Sequence, residues 1–436
     1  MNPVGFSALF FGAMFLCLAL GVPLAIALGG LSAIFVYIFW SENALSMLAI
    51  KAFSSTSSFE FIAIPLFIFM ANMLERSRIA EDLYATMHQF FGRLRGGLAA
   101  GTVVICTLFA AMAGVSGAAT VSMGILALPA MLSRGYSKRI ALGSIAAGGS
   151  LGILIPPSVT MIIYGLIANV SVGKLYAGGV LPGLLLAVLF IVYILVRSWL
   201  RPSLAPAAPP DELTGWRDRV ISLKGLIFPM LLIAAVLGSI LTGFTSVSEA
   251  AAVGAFGSIV AALLKGRYEW TTYREAAENT LLISCLIFWI IIGASAFSTL
   301  YTAMGASRLM QELVLGLEVN RYVVLVAMQA LLILLGMVID TVGIIMITVP
   351  VFVPIILALG FDPVWFGVLF IINMEIGFLT PPFGYNLFYL RGVAPPDVTM
   401  LDIYQSIVPF VLLMVVGLGV CIAFPQIILV LPNALF

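Results

Sequence analysis

Apolar residues run in long blocks broken by short polar or charged interruptions, and the blocks have the length of membrane helices. Stretches near the length needed to cross about 30 Å of hydrocarbon fall at 5–20, 23–40, 58–75, 140–165, 176–198, 225–243, 248–265, 280–303, 364–390 and 404–423. This predicts ten crossings. Two further blocks, 97–133 and 322–360, are too long for one helix, and small or polar residues interrupt each near its middle. In the first, Gly97 to Ala113 and Ala118 to Ser133 would each make roughly 24 Å of helix at 1.5 Å per residue, short of a full span. Both blocks are therefore read as re-entrant helical hairpins. Two full crossings per block would leave the topology parity unchanged, so charge does not exclude that alternative.

Charge orients the chain. With the segment carrying Arg76, Arg78, Arg93 and Arg95 on the cytoplasmic side, the same side receives Arg134, Lys138, Arg139, Arg197, Arg201, Arg217, Arg219, Lys224, Lys265, Arg267, Arg274 and Arg391. That places all but four of the 20 Lys and Arg inside. Lys51, Lys174, Arg308 and Arg321 fall outside, with both termini, and the second hairpin enters from the outer face. The segment Arg201 to Arg219, with Pro202, Pro206, Pro209 and Pro210, reads as part of a cytoplasmic linker (201–224) between halves 1–200 and 225–436.

The halves match at a fixed offset of 225 residues: Gly29 with Gly254, Pro129 with Pro354, Gly135 with Gly360, Gly152 with Gly377, Leu154 with Leu379, Pro156-Pro157 with Pro381-Pro382, and Tyr164 with Tyr389. Glycine and proline dominate the set, and both act on the backbone. Five crossings plus one hairpin per half is an odd number of crossings, so the second half is inserted upside down. The expected fold is an all-α polytopic membrane protein with an inverted-topology repeat, of the kind in which secondary transporters bind substrate and ions at discontinuous helices near the midplane.

The chemistry concentrates at the hairpin tips and the spans that follow them. The first tip is Gly114-Val115-Ser116-Gly117-Ala118-Ala119-Thr120, and the next span (140–165) is broken at Gly148 to Ser158 by Pro156-Pro157. Two prolines remove two backbone donors and free carbonyl oxygens, which in hydrocarbon need a partner. A hard cation such as Na+ is a suitable one. The second half offers Gly336, Asp340, Thr341 and Gly343 opposite Gly377 to Asn386, in the broken span 364–390, which implies a second cation site. A lone Gly-x-x-Pro-Pro more often kinks a helix for packing; its recurrence at the offset, each time after a hairpin, favours the ion reading. Ser116 and Thr341 are equivalent, and their hydroxyls bond across helices or ligate an ion.

Three acids lie in apolar segments of the second half. Asp340 is expected as a cation ligand or as an anchor behind one. Glu375 either fastens its helix to a neighbour or serves function, and Glu249, near a span end, is expected to be solvated or paired. Glu60 ranks below these. Ser116, Thr120, Ser158, Thr341 and Asn386 are the polar groups from which a carboxylate substrate would take hydrogen bonds, together with helix N-terminal amides.

Composition closes other classes. The 436 residues are 62% hydrophobic and 9% charged with a mean hydropathy of +1.19, which suits a bilayer, and a net charge of +1 gives no surplus for nucleic acid. Cys17, Cys106, Cys285 and Cys421 are isolated in apolar runs and read as small core residues. One histidine, His88, builds no transition-metal site, no nucleophile and base pair up for an intramembrane enzyme, and no phosphate-binding Gly-x-x-x-x-Gly-Lys-Ser/Thr loop supports an ATP-driven pump. The N-terminus lacks a basic leader, so no cleaved signal peptide is expected.

The chain resembles the large membrane subunit of the TRAP (tripartite ATP-independent periplasmic) transporters, DctM type. The resemblance rests on Gly21-Val22-Pro23-Leu24-Ala25, Ile64-Pro65-Leu66-Phe67, Gly114-Val115-Ser116-Gly117-Ala118-Ala119, Ile155-Pro156-Pro157-Ser158, Leu181-Pro182-Gly183 and Leu379-Thr380-Pro381-Pro382-Phe383-Gly384. It implies an elevator: a scaffold and a moving transport domain that holds both hairpins. It also implies Na+ coupling, a bacterial inner-membrane location, a separate small four-helix membrane subunit, and a periplasmic binding protein that delivers a small carboxylate. By motif, one Na+ would use Ser116, Gly152, Ile155 and Pro157, and the other Gly336, Gly377, Thr380 and Phe383 with Asp340 and Thr341 close by. The tip reads Gly114-Val115-Ser116-Gly117-Ala118-Ala119 where the family often carries a second serine, leaving Ser116 as the side-chain ligand at the first site. The competing reading is a self-sufficient dicarboxylate-type elevator carrier or antiporter that needs no partner.

Overall fold

A computed structural model describes residues 3–77, 79–207, 222–316 and 319–436. Arg78, Pro209, Pro210, Arg217, Arg219 and most of the expected linker lie outside the described residues. The rest is almost wholly helical, with no strand among the described residues.

The first half runs α1 (Pro3–Ala19), α2 (Leu24–Phe39), α3 (Leu45–Thr56), α4 (Ala63–Arg76), α5 (Ile79–Phe91), α6 (Gly97–Ala113), α7 (Ser116–Ser133), α8 (Lys138–Ser150), α9 (Val159–Ala168) and α10 (Val172–Leu200). The second runs α11 (Lys224–Leu241), α12 (Val247–Leu264), α13 (Trp270–Ala303), α14 (Ala306–Leu315), α15 (Arg321–Gly336), α16 (Thr341–Ala358), α17 (Pro363–Leu379), α18 (Tyr385–Val393), α19 (Met400–Ala423) and α20 (Gln426–Leu435). The hairpin arms α7 and α16 begin and end at the same positions once the repeat offset is applied, and the other helices of the first half have counterparts within a few residues.

One pair departs from this match. The first half bends by 56° between 42–56 and 59–76, where the second half has a single 34-residue helix, α13. Pro65 stands early in α4, and a proline there lacks the donor that would continue the helix behind it. Its counterpart is Ile290, and α13 runs straight through.

Among the described residues, seven helices are long and apolar enough to cross a membrane singly, and the bent pair makes an eighth. The expected crossings at 140–165 and 364–390 are the broken helices α8–α9 and α17–α18, while α1 and α2 have only 17 and 16 residues. The arms α7 and α16 have 18 residues each, enough to cross alone, so the length argument for hairpins does not hold for them. The tips give a better criterion, because a loop at a membrane surface would be wet. Ser116 is 2% exposed and Thr341 3%.

Packing interleaves the halves. α4 lies on α12 and α2 on α13, where Gly29 and Gly293 bring two backbones together: a Cβ on Gly29 would sit 3.3 Å from Gly293 Cα. The second hairpin arm of each half packs on the far piece of the other half's broken helix, α7 on α18 and α16 on α9. Ion pairs Arg76–Glu275 (3.7 Å), Lys138–Asp397 (3.0 Å) and Lys265–Asp82 each join groups that the charge rule puts on one side. At the Lys138 pair, the ammonium hydrogen-bonded to Asp397 holds that carboxyl below its usual range. Cys106 and Cys421 are buried as expected, whereas Cys17 is half-buried and Cys285 lies exposed on α13, so neither of these two is a core residue.

Candidate functional site

Each broken helix meets the hairpin tip of its own half. A helical carbonyl bonds the amide four residues on, so Pro156 and Pro157 leave Gly152 and Ile153 without that donor, and Pro381 and Pro382 do the same to Gly377 and Phe378. Both Pro-Pro bonds are cis. In the first half Ser158 Oγ donates to Ile153 O at 2.6 Å and satisfies it, which leaves Gly152 O without its usual partner. In the second, Gly377 O accepts the Thr380 amide at 3.1 Å, and Thr380 Oγ1 donates to Ile376 O at 2.7 Å. The Thr380 hydroxyl oxygen keeps its lone pairs free for a cation.

Glycine permits the tips to close on these breaks. Gly114, in the left-handed region at φ 66°, lies so near the first break that a Cβ would be 2.4 Å from Pro157 O, and a Cβ on Gly152 would be 2.9 Å from Val115 O. At the second site a Cβ on Gly336 would lie 3.0 Å from Gly377 Cα, and the Phe383 amide donates to Met337 O at 3.3 Å. The structure thus brings together Ser116, Gly152, Ile155 and Pro157 around one break, and Gly336, Gly377, Thr380 and Phe383 around the other, while Thr341 is buried at the start of α16 just after that tip. The two differ in access: residues 151–160 are all buried, whereas Pro382 and Phe383 are exposed.

Several side chains already hold hydrogen bonds. Asp340 caps α16, with Oδ1 accepting from Val342 N at 2.9 Å and Oδ2 from Gly343 N at 3.2 Å, so the position behind the second site is filled by a helix cap. Ser158 caps α9, accepting from Met161 N at 3.3 Å while donating to Ile153 O. Thr120 donates to Asn386 Oδ1 at 2.7 Å, and Asn386 Nδ2 donates to Ala146 O at 2.7 Å, a tie between the halves that spends much of the capacity expected for substrate. Glu249 forms a capping box with Ser246 at the start of α12, which accounts for it structurally. Glu60 accepts from Ser58 Oγ.

Glu375 fastens its helix to a neighbour, one of the two roles expected of it, and the structure adds a cleft that was not expected. Glu375, fully buried, accepts from Ser150 Oγ at 3.2 Å, and these two residues are each other's repeat equivalents, 225 apart. Its Oε2 has no partner in the structure. Separately, a cleft of about 420 Å³ opens between α3, α13, α9 and α16, lined by Lys51, Ser54, Ser55, Ser58, Glu60, Asn169, Ser295 and Ser298 among others. No acid pairs with Lys51 among the described residues, and Ser295 donates to Ser55 at 2.9 Å. The polar run Ser54 to Ser58 in an otherwise apolar chain was the available signal.

Residues 11–427 match the family model described as "Tripartite ATP-independent periplasmic transporter, DctM component". The chain is 31% identical to the C4-dicarboxylate TRAP transporter large permease protein DctM of Vibrio cholerae, over 95% of each chain. It is 33% identical to the protein of that name from Pseudomonas aeruginosa (93% of each), and 31% identical to the ectoine TRAP transporter large permease protein TeaC of Halomonas elongata (96% of this chain, 97% of that). Among solved structures, the Alcanivorax borkumensis YdaH transporter superposes with a TM-score of 0.68 at 15% identity, covering 98% of this chain and all of that one, which shows a shared fold. The relatives are permeases rather than enzymes, and the apolar helices suit a bacterial inner membrane. The chain belongs to the tripartite ATP-independent periplasmic transporter family, as its large membrane subunit of the DctM type.

Proposed function

We propose that this subunit imports a small carboxylate by an elevator motion driven by Na+, with one ion at each proline-broken helix. The observation that carries the reading is a hairpin tip closed on each break beside an oxygen with lone pairs to spare, the Gly152 carbonyl at the first and the Thr380 hydroxyl at the second. A cation at each break supplies the missing partner and draws the tip against the helix. Ser116 and Thr341, buried at the two tips, then present hydroxyls to substrate. Ions on both sides of the substrate make its binding and theirs mutually favourable.

The anionic class of the substrate is supported by the Lys51 cleft, between α3 and α13 on one side and α9 and α16 on the other, where the ammonium has no acid partner among the described residues and the acid in the lining, Glu60, accepts from Ser58 Oγ. Relatives named for C4-dicarboxylate and for sialic acid fit that chemistry. In the elevator reading α7, α16 and the two broken helices travel together, because each hairpin arm is packed on the other half's broken helix. The family implies a small membrane subunit and a periplasmic binding protein as partners; the carboxylate would reach the cleft from the latter. The two-ion reading is tested by titrating Na+ into the purified complex and following thermal unfolding. Stabilisation by Na+ and not by K+, weakened in Thr380→Ala, is expected; equal stabilisation by both ions would overturn it.

A further inference from the structure

We infer that a basic cavity at the cytoplasmic end of α8, α10 and α19 binds the phosphate headgroup of an anionic phospholipid. The cavity measures about 470 Å³, within the range of small-molecule sites, and its lining includes Arg139, Arg197, Arg201, Ser137, Tyr193 and Gln405. Three arginines thus line one cavity, and no acid is among the lining residues. The nearest carboxylate along α19, Asp402, is engaged in its own helix cap, with Oδ2 accepting both the amide and the hydroxyl of Thr399 at 2.8 Å. Arg139 is steadied by donating to Gln405 Oε1 at 2.8 Å. Guanidinium forks match phosphate oxygens in pairs, and the first turn of α8, capped by Ser137, adds the positive end of a helix dipole.

The surroundings distinguish a lipid from a free anion. α10 ends at Leu200, beside Arg201, so the cavity sits where a 29-residue membrane helix leaves the bilayer. Trp199 there is 72% exposed, as expected of a ring at headgroup level. From the cavity towards the middle of their helices, α10 exposes Val196 and Val192, and α19 exposes Val408 and Leu412. An acyl chain attached to a phosphate in the cavity has an apolar track to lie on. Basic pockets between membrane helices on the cytoplasmic side are the usual form of such headgroup sites.

The test uses the purified complex, delipidated and then mixed with micelles containing phosphatidylglycerol or phosphatidylcholine, with bound lipid read by native mass spectrometry. Retention of phosphatidylglycerol over phosphatidylcholine is expected. Arg197→Gln and Arg201→Gln should each weaken it about fivefold, the worth of one basic group near a membrane surface. Arg308→Gln, which removes the same charge from an exposed pair with Glu312, should leave it unchanged and so separates a site effect from net charge. Equal retention of both lipids, or no loss in either cavity variant, overturns the inference. Displacement of phosphatidylglycerol by inorganic phosphate would identify a free-anion site instead and would equally overturn it.

Discussion

Adding one methyl group at Gly377 sets backbone against backbone at the second break. A Cβ there would lie 2.9 Å from Gly336 Cα, 3.1 Å from its carbonyl carbon and 3.2 Å from its oxygen. Carbon atoms at rest sit about 3.5–4.0 Å apart, so roughly half an ångström or more must be found, with no side chain to rotate away. Either the tip of α15 or the end of α17 has to move, and both belong to the proposed cation site. Overpacking of this kind costs about 1–3 kcal/mol. If the strain falls on the ion-bound geometry, Na+ affinity drops about 5- to 150-fold at 1.4 kcal/mol per tenfold. The assay is the Na+ concentration for half-maximal uptake in proteoliposomes, alongside the Na+-dependent shift in unfolding temperature. Gly336→Ala should act alike, its Cβ 3.0 Å from Gly377 Cα, and the double variant should lose less than the sum because both methyls open one gap. Gly392→Ala is the control, with no atom within 4 Å of its Cβ. A Gly377→Ala protein with unchanged Na+ dependence would refute the reasoning.

Other outcomes follow from the same geometry. Ser150→Ala strips the buried Glu375 of its one hydrogen-bond partner, an expected loss of about 1–3 kcal/mol in unfolding free energy, and Ser150→Thr should largely restore it; unchanged stability in Ser150→Ala would discount the contact. Asp340→Asn keeps one acceptor for the two α16 amides and should cost less unfolding free energy than Asp340→Ala, which should lose about 1 kcal/mol. Loss of Na+ response in Asp340→Asn with stability intact would instead make the charge a cation ligand. Lys51→Ala should raise the substrate concentration needed for half-maximal uptake at fixed Na+ and leave the Na+ requirement alone, with Lys51→Arg retaining function; a Lys51→Ala protein that matches the parent would remove the cleft from the substrate path.

The breaks, and the helix spacing that the two halves share, were legible because glycine and proline impose backbone geometry from sequence alone: paired prolines delete two donors wherever the fold puts them. Asp340 was legible as a ligand or an anchor at the second tip, and its hydrogen bonds to Val342 and Gly343 add a helix cap, for which an acid just before Thr341-Val342-Gly343 is the sequence signal. Ser158, following Pro157, carried the same signal. The Glu375–Ser150 contact was not legible, since its partners lie on helices of different halves and only packing joins them. The bend between α3 and α4 turns on Pro65, which the hydropathy pattern ignores, and the amphipathic α14 is too polar for an apolar-block search to find. The Lys51 cleft needed four helices to be assembled before its serines faced one another.

Uptake of a radiolabelled dicarboxylate into proteoliposomes holding this subunit with its small membrane partner and binding protein, with and without an inward Na+ gradient, addresses the central claim most directly. The account expects accumulation that requires both the gradient and the binding protein and that fails in Thr380→Ala. Uptake by this subunit alone, or uptake indifferent to Na+, would contradict it and favour a self-sufficient carrier.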